Sequence, residues 1–325
     1  MTAPPIIGPT PELRPVTREL FEQRLEEVLA AAPSPRIGLF GPDSVVWKVT
    51  RFTPVYLLST PLSGIMHAAH PWIAQGVKEH SKLFEDPRLR ARGTYTFLMR
   101  IVFGDVDTVR RTSRALHSMH SRVEGTVPDG AGRFGPGSAY SANEVEALLW
   151  VHLVFFWSRL RMYQRVVGAL TTDELERYTQ ESNRFAACFG IPADALPQSY
   201  AELEATVEGI AASDAIATTA AGRETVAFLL GQLPGPARAV FIGFLVETMP
   251  ESLRVALELP GPSRRTRTWN RLVLTGLRLL RRTGPAGLRY VPAYLEARER
   301  VQGVPQPRLS RRFNKALLGR ESTLG

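Results

Sequence analysis

The chain has 325 residues, 44% hydrophobic and 22% charged, with a mean hydropathy of −0.09, a balance that excludes an intrinsically disordered chain and leaves length for a large core. Its one cysteine, Cys188, excludes an intramolecular disulfide, a thiolate zinc site, an iron–sulfur cluster and covalent c-type haem attachment, each of which needs two or more. The net charge of +9 is a property of the end of the chain: from Ser263 onward there are 15 Lys and Arg against 3 Asp and Glu, whereas the preceding residues carry 25 against 28.

Met1 to Pro15 holds five prolines and no apolar core of the kind a secretory signal needs. The longest uncharged apolar run, Ala147 to Trp157, is eleven residues, short of the ~18 that a spanning helix requires. These features predict a cytoplasmic protein in a reducing compartment.

In chain order, Thr17 opens a predicted helix to Ala32. The short runs Arg36 to Phe40 and Val45 to Thr50 are compatible with strands, the second equally with a helical turn. Helices follow over Val55 to Met66, Pro71 to His80, Leu89 to Phe103 and, capped by Asp105, Val106 to Glu124 with Gly125 as stop. Val127 to Ala139, with four glycines and two prolines, is a long flexible connection. Ser141 with Glu144, Thr171 with Glu174 and Ser199 with Glu202 have capping-box spacing and predict three further helix starts. Ala221 to Leu233, Ala237 to Glu247, Thr268 to Arg282 and Ala286 to Arg300 complete the set. No strand pattern with hairpin dipeptides stands out, and no fixed repeat is present, so the expected fold is all-α. The expected organisation is an N-terminal proline-rich segment and helix (1–36), a helical body (37–260) and basic C-terminal helices (261–325) packed on the same domain.

The six histidines, His67, His70, His80, His117, His120 and His152, fall within 86 consecutive residues. His152 lies in Leu148-Leu149-Trp150-Val151-His152-Leu153-Val154-Phe155-Phe156-Trp157, apolar on every side of a helix and therefore buried. Burial disfavours the imidazolium and leaves a neutral ring with one free lone pair, the state that a metal requires; a core histidine bonded to a backbone carbonyl is the alternative. His117 and His120 are three apart on one predicted helix, and His120 falls on its apolar stripe with Val109, Leu116 and Val123. His67 and His70 share that spacing, but Pro71 places them at a junction between helices.

Carboxylate-assisted metal sites do not fit. No histidine is preceded three residues earlier by Glu, so the Glu-x-x-His pairs of a di-iron centre are missing, as is His-Glu-x-x-His. Separated, apolar-flanked histidines suit a b-type haem better. There is no Walker A loop, Gly-x-Gly-x-x-Gly or Gly-x-Ser-x-Gly elbow, and Cys188 reads as a small core residue.

Several motifs carry a family resemblance in order and spacing. They are Gly41 to Val49, His70-Pro71-Trp72-Ile73-Ala74-Gln75-Gly76-Val77 with His80-Ser81, Arg88 to Thr94 and Ile101 to Asp105. His120-Ser121-Arg122-Val123-Glu124-Gly125, Tyr140-Ser141-Ala142, Leu149-Trp150-Val151-His152 and Phe189-Gly190-Ile191-Pro192 continue the series. The chain resembles the oxygenase family that contains fungal MpaB and the rubber oxygenase (latex-clearing protein) catalytic domain, over roughly residues 37–205. The resemblance implies a globin-reminiscent helical bundle around b-type haem and oxidative chemistry with O2 on a hydrophobic, lipid or isoprenoid-like substrate. It implies His152 as the proximal iron ligand. Where rubber oxygenase has Arg-x-x-Lys-Thr, this chain has Arg114-Ala115-Leu116-His117-Ser118, so Arg114, His117 and His120 are the catalytic candidates, with His120 preferred as distal ligand. Arg111 and Arg114 are candidates to pair with haem propionates, and Tyr140 to pack over the macrocycle.

The C-terminal arginines, Arg264, Arg265, Arg267, Arg271, Arg278, Arg281 and Arg282, alternate with leucines. That composition suits either peripheral contact with an anionic membrane or a core-packing helix with a charged outer face. Nucleic-acid binding is not expected, since no reading motif accompanies the charge. The alternative to an oxygenase is a haem-free helical binding protein with structural histidines.

Overall fold

The computed structural model describes residues 13–325, so the proline-rich start of the chain lies largely outside the described residues. Those residues form sixteen α-helices, one 3-10 turn and one two-stranded sheet, an all-α architecture. None of the helices is long and apolar enough to cross a membrane.

The first helices assemble one wall of the core. Thr17 caps α1 (Arg18–Ala30) by accepting from Leu20 N, and Ser44 caps α2 (Val45–Thr50) by accepting from Trp47 N, so the second strand-compatible run is a helix. The other run, 36–40, forms no strand. Helix α3 (Thr53–His67) ends at His67 and Pro71 opens α4 (Pro71–His80) with His70 as its N-cap, so the two histidines flank the junction that Pro71 predicts. Helices α5 (Pro87–Phe103) and α6 (Val106–His120) pack as a pair, the second capped by Asp105, whose carboxylate accepts from Thr108 N.

The helix expected over Val106 to Glu124 is shorter, and a strand pair follows that the sequence pattern does not show. Helix α6 stops at His120, and β1 (Glu124–Val127) pairs antiparallel with β2 (Ser138–Ser141), Gly125 opposite Tyr140. Glycine is required at 125: a Cβ there would stand 2.7 Å from the Tyr140 hydroxyl. Strands of four residues around a glycine-rich loop leave too short an alternation to recognise. Ser141 is consequently in a strand and not a cap. Glu144 is the N-cap of α7 (Val145–Val166), and its carboxylate accepts from Arg14 N at 2.5 Å.

Helix α7 is the axis of the fold. Seventeen of its 22 residues are buried, including Trp150, Phe156, Trp157 and Leu160; full burial of each such side chain contributes about 1.5–3 kcal/mol. The helix α3 packs along it more extensively than any other pair of elements pack. Helices α8 (Thr172–Ala187) and α9 (Tyr200–Ala211) cover another side. Thr171 and Glu174 form the complete predicted capping box on α8; Ser199 caps α9, while the Glu202 carboxylate accepts from Gln198 N instead.

The chain closes with α10 (Ala220–Gly231), α11 (Gly235–Val246), α12 (Glu251–Ala256) and α13 (Arg264–Thr283), the last packed on α11 and α7. The predicted helix 286–300 is two, α14 (Ala286–Arg289) and α15 (Pro292–Gln302), because Tyr290 and Val291 are extended before a proline. The helix α16 (Arg308–Leu318) follows. Buried Glu296 accepts hydrogen bonds from Asn314, Ser322, Thr323 N and Leu324 N, which ties the chain end to α15.

Candidate functional site

The site is built on one face of α7. His152 is 1% exposed and lies against Phe156 (ring centroids 5.1 Å apart) and Phe185 of α8 (6.2 Å, near-parallel). Its Nδ1 is buried with no hydrogen-bond partner among the described residues. Burial alone depresses its pKa, to about 3, with no charge or hydrogen bond contributing. The ring is therefore neutral at pH 7, and a buried nitrogen without a partner is costly unless something bonds to it.

Helix α3 packs along α7 beside it. His67, at the end of α3, places Nε2 3.3 Å from the Val151 carbonyl oxygen, one residue before His152. His120, at the end of α6, is partly buried. Burial, with a smaller contribution from the positive charge of Arg90 on α5, lowers the pKa of both to about 4. Arg90 is fixed by Ser81, whose Oγ accepts from its Nε at 2.9 Å, and by Thr94. The charge of this one guanidinium acts on both rings, and of the two only His67 is bonded to α7 among the described residues.

Seven residues beyond His152 stands Arg159, two turns on and about 10.5 Å along the axis, so it shares the same face. It is fully buried, and Nε, Nη1 and Nη2 all lack hydrogen-bond partners among the described residues. Its guanidinium carbon lies 4.4 Å from the Phe155 ring centre and 5.3 Å from that of Tyr56 on α3. Burial lowers its pKa to about 10, which still leaves it charged at neutral pH. Neither Arg90 nor Arg159 was singled out from sequence. The signal for Arg159 was an arginine inside the apolar α7 run, one heptad from His152.

The remaining predicted residues lie elsewhere. His117 stacks on Phe21 of α1, centroids 4.2 Å apart and 6° between planes, with Nδ1 unbonded. Arg114 faces α1 and forms ion pairs with Glu22 and Glu26 at 2.7 and 3.2 Å. Arg111 is exposed near the start of α6 and donates to Thr108 Oγ1 at 3.3 Å. Tyr140 belongs to a separate small core with Trp72, Val127 and Phe134, and its hydroxyl donates to Glu79. His70 is fully buried with Nε2 3.5 Å from Glu146, which also pairs with Arg133. Burial would raise the Glu146 pKa, but the His70 ring and the Arg133 guanidinium hold it below the usual carboxylate value. Cys188 is buried, its pKa raised to about 12 by burial, and so is an inert core thiol as read from sequence.

Among the described residues no group of three or more His, Cys, Asp or Glu comes together in a way that could hold a metal ion. An unbonded histidine in an aromatic setting instead fits an iron carried by a macrocycle, which needs only one or two protein ligands.

A family model described as "ER-bound oxygenase mpaB/B'/Rubber oxygenase, catalytic domain" matches residues 47–282. The chain belongs to this family. The mpaB/rubber oxygenase match takes in α3 to α12 and nearly all of basic α13, so it reaches further toward the C-terminus than the sequence motifs do. It identifies the chain with a family of oxygenases, and His67, Arg90, His120, His152 and Arg159 all lie inside it. A comparison with curated proteins returns no match.

Proposed function

We propose that the chain is a haem b-dependent oxygenase that acts with O2 on a hydrophobic, lipid or isoprenoid-like substrate. The observation that carries this reading is His152: a neutral, buried imidazole with an unbonded nitrogen on the central helix of an oxygenase-family fold. Haem b, when bound, supplies an iron at which O2 is activated.

The protein's own residues account for the rest. His152, neutral at pH 7, offers a lone pair without first having to lose a proton. Phe155, Phe156 and Phe185 surround it and keep water away, which strengthens every electrostatic interaction inside. His120 is our assignment for the opposite, distal side, where a neutral ring can donate or accept one hydrogen bond. His67 holds α3 against the backbone beside His152 and thereby positions it.

We further propose that α13 rests on an anionic membrane surface, the source of an apolar substrate. Its outer side exposes Trp269, Leu272 and Leu279 among arginines.

The test is an absorption spectrum of the full chain purified with haem supplied, with a pyridine haemochromogen assay. We expect a b-type spectrum near one haem per chain, lost in His152→Ala and retained with altered bands in His120→Ala. A folded wild-type protein that retains no haem, or a His152→Ala protein that binds it normally, would overturn the assignment.

A further inference from the structure

A fully buried arginine with no hydrogen-bond acceptor among the described residues is the least expected feature of the molecule. Guanidinium has five N–H donors and no acceptor, and it stays charged in proteins. Burying it without an anion forfeits its hydration, and the observed alternatives are weak: two ring faces, Phe155 and Tyr56, recover only part of that loss. Other buried or half-buried arginines in the fold have oxygen partners, such as Arg133 with Glu146, Arg165 with Glu247 and Arg300 with the Phe103 carbonyl. Arg159 has no hydrogen-bond acceptor among the described residues, although it sits on the largely buried central helix.

Its position is specific. Arg159 occupies the His152 face of α7, one heptad on, where the helix passes beneath α3. A ligand centred on His152 and lying along this helix would bring its periphery to Arg159. A porphyrin carries two carboxylates at its rim, and an apolar substrate acid carries one at its end.

We infer that Arg159 is the anion-recognition element of the His152 site and takes a carboxylate of the molecule bound there, through the paired N–H donors that suit such a group. Tyr56 and Phe155 hold the guanidinium plane in place before the anion arrives, so little side-chain freedom is lost on binding. The inference deepens the oxygenase reading and rests on it for the porphyrin as one source of the carboxylate; a substrate carboxylate is the other.

The test uses the full chain, with Arg159→Met as the neutral variant of similar volume and Arg159→Lys as the conservative one. For the porphyrin source, haem b and haem dimethyl ester, in which both carboxylates are esterified, are compared by their rates of loss to an excess of apoglobin. The wild type is expected to retain haem b at least tenfold longer than the ester, Arg159→Met to lose that preference, and Arg159→Lys to keep part of it. For the substrate source, thermal shifts with a long-chain carboxylic acid are compared with those from the corresponding alcohol. Acid-selective stabilisation that disappears in Arg159→Met assigns the anion to substrate.

A second readout separates recognition from structural support. Without ligand, Arg159→Met should be at least as stable as the wild type, because an uncompensated buried charge has been removed; an arginine that merely supports the fold would give a less stable variant. A wild type that distinguishes neither haem b from its ester nor acid from alcohol overturns the proposal without recourse to any variant, as does a preference that survives in Arg159→Met. If neither porphyrin is retained at all, the haem reading fails, and the acid-against-alcohol comparison alone decides the role of Arg159.

Discussion

His67 Nε2 lies 3.3 Å from the carbonyl oxygen of Val151, so the last residue of α3 is joined to the backbone of α7 immediately before His152. A carbonyl only accepts, which assigns the ring proton to Nε2 and makes His67 a donor. The contact ties the packing of two helices to the direction in which the His152 ring points.

Replacing His67 with Ala should therefore do two things at once. Loss of the hydrogen bond and of a partly buried ring should cost about 1–3 kcal/mol by urea unfolding. Haem should still bind, with Soret and visible bands displaced because His152 is less well oriented. An unchanged spectrum together with unchanged stability would remove His67 from any positioning role.

The histidines also predict how stability depends on pH. His67, His120 and His152 have folded pKa values near 4, 4 and 3, each lowered chiefly by burial from 6.5 in the unfolded chain. Between pH 6.5 and 4 the unfolded state binds protons that the folded state refuses, so stability is lost as pH falls, by about 1.4 kcal/mol per pH unit for each group. His70 and His117, whose pKa values burial also lowers, act in the same direction, and the one carboxylate with a raised pKa, Glu144, opposes them. Paired carboxylates such as Glu26 and Glu79 have lowered pKa values and begin to add to the loss only below about pH 4.5. Urea midpoints of haem-free protein at pH 7 and pH 5 should differ strongly, and His152→Phe should flatten the slope without abolishing it. A profile flat from pH 7 to 5 would show that these rings are not buried and neutral.

Tyr140 and Arg114 give a contrasting expectation, because the structure provides each with a partner away from His152. Tyr140→Phe removes a hydrogen bond to the Glu79 carboxylate and should cost about 1–2 kcal/mol. Arg114→Ala breaks half-exposed ion pairs with Glu22 and Glu26 and should cost about 0–1 kcal/mol. Both variants should load haem with wild-type spectra. A shifted Soret band in either would return that residue to the site.

How much of this was legible in the sequence follows from the range of the forces involved. Helix starts at Thr17, Asp105 and Thr171 depend on side chains three residues from the amides they satisfy, and those positions hold. The burial of His152 was equally readable, since ten apolar neighbours leave a helix no wet side. Pairing of 124–127 with 138–141 was not readable, because its register is set across a glycine-rich loop by Tyr140 lying over Gly125. The same limit hid Arg90, whose nearness to both His67 and His120 depends on how α5 packs, and turned Arg114 toward α1 by a contact 92 residues distant in sequence.

Gly190 makes the last prediction, and it concerns a motif noted only for its likeness to the family. Its φ is +76°, a conformation that side chains disfavour, and a Cβ there would lie 2.4 Å from Val16 Cγ1 and 3.0 Å from Phe21 Cα. The two costs are separable. Gly137, with φ +79°, has open space around it, so Gly137→Ala carries the backbone cost alone, about 1–2 kcal/mol. Gly190→Ala adds the displacement of Val16 and Phe21, and should reach about 2–5 kcal/mol. Phe21 stacks on His117, three residues before His120, so the same substitution should disturb the end of α6. Urea unfolding of the two variants side by side measures the difference, and equal losses would show that α1 yields freely at Phe21 and that glycine at 190 serves the turn alone.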